Sequence, residues 1–361
     1  MTMSGQDVRA LTSIRGVAAW LVVLYHVRGS IAGLPPAAEA WLSKGYLAVD
    51  FFFLLSGFVI WMSYAERLHG GSAGARLDFL KRRFARVWPL HIVVLGYAVA
   101  LALLLAATGR HDPAAFPFAE LPLHALLVQN WGLTSDLTWN DPAWSISCEA
   151  GAYLVFPLLV ALVDWRRVST PAILLAIAGL FALLHAGMVI GGAPTLGTDI
   201  PRFGLLRCLI EFTAGTALCA LWQRWRPYAS AMTFRCAVAG AVALVAAVSG
   251  AVPETLAAPA MLSALLLTLA LTADWRGNPL SLTPIHYLGE ISYATYLSHF
   301  MLFLTFKLAF VRDAHAVPIW QIAAYLGLVF VVSIGLYHFV ERPAQRLINR
   351  LPLRKSVRVI A

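Results

Sequence analysis

Runs of about twenty mostly apolar residues follow one another along the whole chain, and each is long enough to cross the ~30 Å hydrocarbon layer of a bilayer as a helix. Nothing constrains the fold more. Of the 361 residues 60% are hydrophobic and only 12% are charged, where an ordinary soluble domain has about a quarter of its residues charged. No long polar stretch remains in which a second domain could fold. The reading is therefore an all-α integral membrane protein of about ten transmembrane helices, at 10 to 29, 46 to 65, 87 to 107, 146 to 163, 171 to 191, 204 to 222, 235 to 250, 256 to 273, 287 to 309 and 318 to 339. Residues 1 to 345 form one transmembrane domain, and 346 to 361 a basic cytoplasmic tail.

The first run holds Arg15 and lacks a small-residue cleavage site, so it reads as a retained helix and not as a signal peptide. Basic residues collect after even-numbered spans: Arg67 to Arg86, Arg166 and Arg167, Arg224 to Arg235, Arg276, and the tail. Cytoplasmic loops favour Lys and Arg, so both termini are expected on the cytoplasmic side. That distribution also accounts for the net charge of +9 without nucleic acid, with the tail resting on anionic lipid headgroups. Cys148, Cys208, Cys219 and Cys236 have no paired spacing, which argues for buried free thiols over disulfides or a zinc site. No cluster has metal-ligand spacing. The long loop 108 to 145, with four prolines and several aromatics, reads as a lid or re-entrant segment.

Ionisable side chains within a bilayer are costly and usually functional. Counting ~1.5 Å per residue along each helix puts His26, Asp50, Glu149, Arg207, Glu211 and His299 in one layer toward the outer half. They come from five separate spans, and such convergence reads as a site. Asp50 shares the depth of His26 and either orients and charge-stabilises an imidazole acting as base or merely caps the second span. Arg207 and Glu211, four residues apart on one helical face, form either a buried structural pair or part of the site. His299 is either a second polar group of the site or a satisfied core histidine. Toward the inner side lies Arg15. In RRFAR the side chains of Arg82, Arg83 and Arg86 share a helical edge, suited to a phosphate-bearing ligand or to fixing topology.

These residues lie in motifs that resemble the acyltransferase-3 family of integral membrane acyltransferases, over nearly the whole chain. The motifs are Arg15 followed by His26, with Arg9 ahead of them; AVDFFFLLSGF, holding Asp50, Ser56, Gly57 and Phe58; and Arg83 with Arg86, followed by Pro89. Then come Trp144, Ser145 and Glu149; Ser292, Tyr293, Tyr296, Leu297 and His299; and the closing Glu341, Arg342 and Pro343. Two departures stand out. LTSIRG replaces the commoner L-D-G-L-R-G opening, and the aromatic pair after the glutamate is reduced to Ala152 and Tyr153.

The resemblance implies a multi-pass protein of the bacterial cytoplasmic membrane. It would move an acyl group, most often acetyl, from cytosolic acyl-CoA to a hydroxyl of a carbohydrate or glycolipid. Acetyl-CoA would be the donor substrate, with no permanently bound cofactor and no metal. Arg83 and Arg86, with Arg82, would take the donor phosphates, and Arg15 would guide the donor from within. His26, oriented by Asp50, would deprotonate the acceptor or carry the acyl group covalently, and Glu149 would bind or tune. Trp144, Ser145, Arg207, Glu211, Tyr293 and His299 would line the site, with Ser145, Tyr293 or another polar residue facing the developing oxyanion. Trp131, Trp139 and Trp144 beside the outer mouth suit either sugar stacking or the aromatic belt of a membrane interface. A homo-oligomer stays open. The competing class is a proton-coupled exporter, since membrane acids, a histidine and inner arginines also suit transport.

Overall fold

A computed structural model of the chain describes residues 5–352. Those residues form fourteen α-helices and no sheet. In chain order they are α1 (Gly5–Val27), α2 (Pro36–Leu42), α3 (Leu47–Leu68), α4 (Ala73–Ala107), α5 (Leu121–Ala125), α6 (Ala143–Leu162) and α7 (Thr170–Ile190). There follow α8 (Ile200–Trp225), α9 (Ala229–Val248), α10 (Glu254–Leu271), α11 (Thr283–Glu290), α12 (Ser292–Phe310), α13 (Ile319–Leu336) and α14 (Arg342–Arg350). The tail arginines 354 and 358, with Lys355, lie outside the described residues.

Eight helical stretches among the described residues are long and apolar enough to cross a membrane, and the protein is a multi-pass membrane protein. Two expected spans, 204 to 222 and 235 to 250, fall in one such stretch, Ile200–Val248, bent at the Pro227 turn between α8 and α9. The expected span 287 to 309 breaks at Ile291 into α11 and α12. Helix α12 lies outside the eight because Ser292, Tyr293, Thr295, Tyr296, Ser298 and His299 lower its hydropathy, and all six are buried. Polar groups that would be costly against lipid thus face the protein interior.

Helix α4 is longer than the expected span, 35 residues or ~52 Å. Its third and fourth turns carry Arg82, Arg83 and Arg86 on the rod that continues into the membrane. Helices α3 and α8 pack closest. A Cβ on Gly57 would stand 1.9 Å from the Phe212 carbonyl oxygen, and one on Gly215 2.0 Å from that of Leu54, so any side chain at either position would push the backbones apart.

The segment 108–142 is ordered against the bundle. Trp88 donates to the Ala125 carbonyl at 2.9 Å, His91 bonds the His124 carbonyl at 2.8 Å, and His124 meets Thr138 at 2.9 Å. Beyond α1, Ala32 donates to the Val317 carbonyl and Val317 to that of Ser30, which ties the end of α1 to the α12–α13 connection. Around the periphery Leu162, Leu175, Ile190 and Phe339 are exposed, as a lipid-facing surface requires. The four cysteines are buried free thiols.

Candidate active site

A cavity of about 130 Å³ opens between α1, α3, α4, α6 and α12. Arg15, Arg83 and Arg86 line it together with Glu149, Ser145, Tyr153, Tyr293 and Tyr296. Arg15 and Glu149, expected at different depths, therefore share one space. Glu149 lies six residues inside α6, ~9 Å along its axis, and accepts a hydrogen bond from Ser56 of α3 at 2.5 Å.

The three arginines differ in how they are held. Arg86 is bound to Glu341, a buried carboxylate at the end of the π-helical turn Tyr337–Glu341. Arg83 donates to the Tyr64 hydroxyl at 3.0 Å and lies over the Tyr64 ring at 5.0 Å, with its Nε buried and unpaired. Among the described residues Arg15 has no hydrogen-bond or ion-pair partner, although Glu149 and Glu341 are near enough to act on its charge. Arg82 does not line the cavity. It pairs with Asp78 at 2.7 Å, one turn away on the outer surface of α4.

At the other end of the cavity the Ser145 hydroxyl lies 2.7 Å from that of Tyr296, and also bonds the Pro142 carbonyl at 3.1 Å. Tyr293 instead donates to the Val87 carbonyl at 2.6 Å, so its proton is already committed.

The ring of Tyr296 stands 6.1 Å from His299, which in turn contacts His26. The tautomers follow from the partners. His299 Nδ1 faces the carbonyls of Tyr296 at 2.7 Å and Thr295 at 3.2 Å, which only accept, so it carries the hydrogen. Its Nε2 then holds a lone pair and accepts from His26 Nδ1 at 3.2 Å, and the same N–H reaches the Val22 carbonyl at 2.9 Å. That leaves the lone pair of His26 on Nε2. His26 lies beside the arginine cavity, joined to it through His299 and Tyr296, and does not line it.

Asp50 does not orient His26. Arg207 takes its Oδ1 through Nη2 at 2.6 Å and Nε at 3.1 Å, with both side chains essentially inaccessible. A guanidinium buried in α8 needs a counterion, and the first turn of α3 supplies it at the tightest helix crossing. Glu211, one turn along α8, is also fully buried and close to the pair. These three residues sit behind the cavity and do not line it. Trp144 is the link, with the Arg207 guanidinium 5.3 Å from its ring centre and Phe53 packed edge-on at 5.8 Å. Trp144 therefore packs inside, as does Trp139 between Phe116 and Phe118, while Trp131 donates to the Ser147 carbonyl at 2.9 Å. Trp139 and Trp144 are buried and form no open stacking platform, whereas Trp131 is half-buried.

Sequence reasoning named Ser56, Tyr153 and Tyr296 only as motif positions, without a place in the site, and missed the partnership of Glu341 with Arg86. Tyr296 was within reach: it follows Ser292 by four residues and precedes His299 by three, so all three share a helical face. The Glu341 contact joins helices that are 255 residues apart in sequence, and no local pattern signals it.

Comparison with known proteins gives the family. The acyltransferase-3 family model, described as an acyltransferase domain, matches residues 8–338. Acyltransferase MdmB of Streptomyces mycarofaciens is 30% identical over 335 residues, 85% of this chain and 82% of its own. The exopolysaccharide production protein ExoZ of Rhizobium meliloti is 28% identical over 84% of this chain and 90% of its own. The peptidoglycan O-acetyltransferase OatA of Listeria monocytogenes is 25% identical over 95% of this chain, which spans 56% of that longer protein. No solved structure matches. Matched by the family model over nearly its whole length, and by a 30%-identical relative over most of both chains, this chain belongs to the acyltransferase-3 family of membrane acyltransferases.

Proposed function

We propose that the protein transfers an acyl group, acetyl in the first instance, from acyl-CoA to a hydroxyl of a carbohydrate or glycolipid. It does so in the bacterial cytoplasmic membrane, with both termini in the cytoplasm. The observation that carries the donor assignment is the arginine cavity. Among the described residues Arg15 is a guanidinium without a protein partner, and Arg83 holds an unpaired buried Nε at the same cavity. Guanidinium forks bind phosphates bidentately, which suits the phosphates of a coenzyme A donor. Arg86 contributes charge while anchored by Glu341. The pantetheine arm then runs toward Ser145 and Tyr296, bringing the thioester to the hydroxyl pair.

His26 Nε2 takes the proton of the acceptor hydroxyl. The acceptor oxygen forms its bond to the thioester carbonyl carbon, the carbon–sulfur bond breaks, and the proton passes to the departing thiolate. His299 holds His26 Nδ1 and stabilises the imidazolium that forms. The Ser145 and Tyr296 hydroxyls face the carbonyl oxygen as it gains charge. Because Tyr293 already donates to Val87, Tyr296 replaces it as the proposed donor. Glu149, held by Ser56, shapes the middle of the cavity, and two relatives named for peptidoglycan and exopolysaccharide support a carbohydrate acceptor. Titration of purified protein with acetyl-CoA tests the donor site. Wild type should bind and Arg83→Ala should bind more weakly at unchanged melting temperature, whereas equal affinities would remove the assignment.

A further inference from the structure

A second cavity, of about 500 Å³, lies between α1, α3, α9 and α10, away from the arginines. It is apolar except at one end. There Lys44 pairs with Glu254 at 2.6 Å, and Tyr46 donates to the same carboxylate at 2.5 Å. Below that rim the wall is hydrocarbon, running down α10 from Glu254 past Met261 to Leu265 and along α1 from Leu21 to Ile14. Eleven residues of α10 at ~1.5 Å each make a groove ~16 Å deep, close to half of the ~30 Å hydrocarbon layer. Helix α9 packs along α10 at the periphery, with two of its residues buried, and Leu244 and Val248 at the groove are exposed. The opening therefore faces the lipid.

The rim sits beside the proposed base. Gly45, a lining residue, packs so closely on α1 that a Cβ there would stand 2.8 Å from Cβ of Tyr25. Tyr25 is the neighbour of His26, with its ring edge-on to the imidazole at 5.0 Å and to Tyr46 at 5.9 Å. A groove with polar groups at one end only, one leaflet deep and open to lipid, is complementary to an amphiphile with its head at the rim.

We propose that the groove holds the hydrocarbon chain of the acceptor, a glycan joined to a single long chain, and that the Lys44–Tyr46–Glu254 rim presents its sugar hydroxyl to His26. This rests on the acyltransferase reading above and adds the acceptor class to it.

The test uses hexadecyl β-glucoside carrying a mid-chain diazirine, photolysed with the full-length protein in phosphatidylcholine nanodiscs and mapped by mass spectrometry. The expected result is labelling of α10 and α1 groove residues, displaced by excess hexadecyl glucoside and not by methyl glucoside. Met261→Trp, at a half-buried wall position, should cut that labelling about tenfold, the equivalent of roughly two methylenes kept out of the groove. Ala247→Trp, nearer the rim, is the second variant if the first fails to fold. Labelling spread equally over lipid-facing Leu175 and Leu183 of α7, or indifferent to both folded variants, would overturn the proposal. The two readings fail differently. Loss of the acyltransferase reading leaves the labelling in place with no acetyl transfer, whereas loss of the groove leaves acetyl transfer to water-soluble glycans intact and the labelling nonspecific.

Discussion

Asp50→Asn separates a structural aspartate from a catalytic one. The carboxylate receives two hydrogen bonds from Arg207, at 2.6 and 3.1 Å, and both residues are at most 1% exposed. An amide of the same shape keeps the volume but removes the charge that offsets a buried guanidinium. Breaking one partner out of a buried pair costs about 3–5 kcal/mol, a large share of a typical total of ~5–15 kcal/mol. At a few degrees per kcal/mol the melting temperature should fall on the order of 10 °C. The assay is thermal unfolding in detergent beside kcat measured per folded molecule. The structure predicts a large drop in melting temperature, with kcat of the folded fraction within about threefold of wild type, because His26 takes its orientation from His299 and Val22. An unchanged melting temperature with kcat lowered about 10²-fold or more, the loss expected of an impaired general base, would refute this assignment and restore Asp50 as the partner of His26.

Other expectations follow from the same contacts. Arg15→Ala should weaken acetyl-CoA binding about 10- to 100-fold, the worth of a charge-assisted contact, at unchanged melting temperature, and calorimetric titration checks both. Arg86→Ala strips buried Glu341 of its partner and should destabilise the fold by ~3–5 kcal/mol; a thermal scan matching wild type would contradict the pairing. Tyr296→Phe should lower kcat about 10- to 10³-fold with little change in KM for acetyl-CoA, and steady-state kinetics would show it wrong if the loss lay in KM. Asp141, just outside the spanning helix α6, has its carboxyl pushed up to about 6 by burial, above an unfolded value of about 3.9. Its folded form holds the proton more tightly, so its contribution is fully present below about pH 4 and is lost as pH rises through about 6. Asp141→Asn should therefore raise the melting temperature near neutral pH more than in acid, and equal effects at both would contradict the assignment.

The membrane class was legible because hydrophobicity and span length are local quantities, and helices lie along each expected span, although 287 to 309 is split in two and eight stretches meet the length and hydropathy of a span. Helix ends were less legible. Arg82 to Arg86 read as a helical edge ahead of a span starting at 87, yet they lie on the third and fourth turns of one continuous helix α4, since arginines with long apolar stems extend a helix beyond the bilayer at little cost. The buried ionisable side chains were legible because charge in lipid is conspicuous, but their pairing was not, nor which of them line the cavity. Depth counting put Asp50 level with His26 and could not say which way either side chain turns around its helix. That azimuth is set by the Gly57–Gly215 crossing, which turns Asp50 toward Arg207. For the same reason Trp139 and Trp144, read as surface platforms, became internal packing.

The measurement closest to the central claim is acetyl transfer from radiolabelled acetyl-CoA by purified protein, with an envelope glycan extract as acceptor, comparing wild type, Arg15→Ala and His26→Ala. Label should reach the glycan with wild type, fall with Arg15→Ala in a way that higher acetyl-CoA recovers, and stay at background with His26→Ala at any donor concentration. Transfer by His26→Ala at the wild-type rate would contradict the assignment of the base. Absence of both transfer and acetyl-CoA binding in folded wild type would contradict the donor cavity itself.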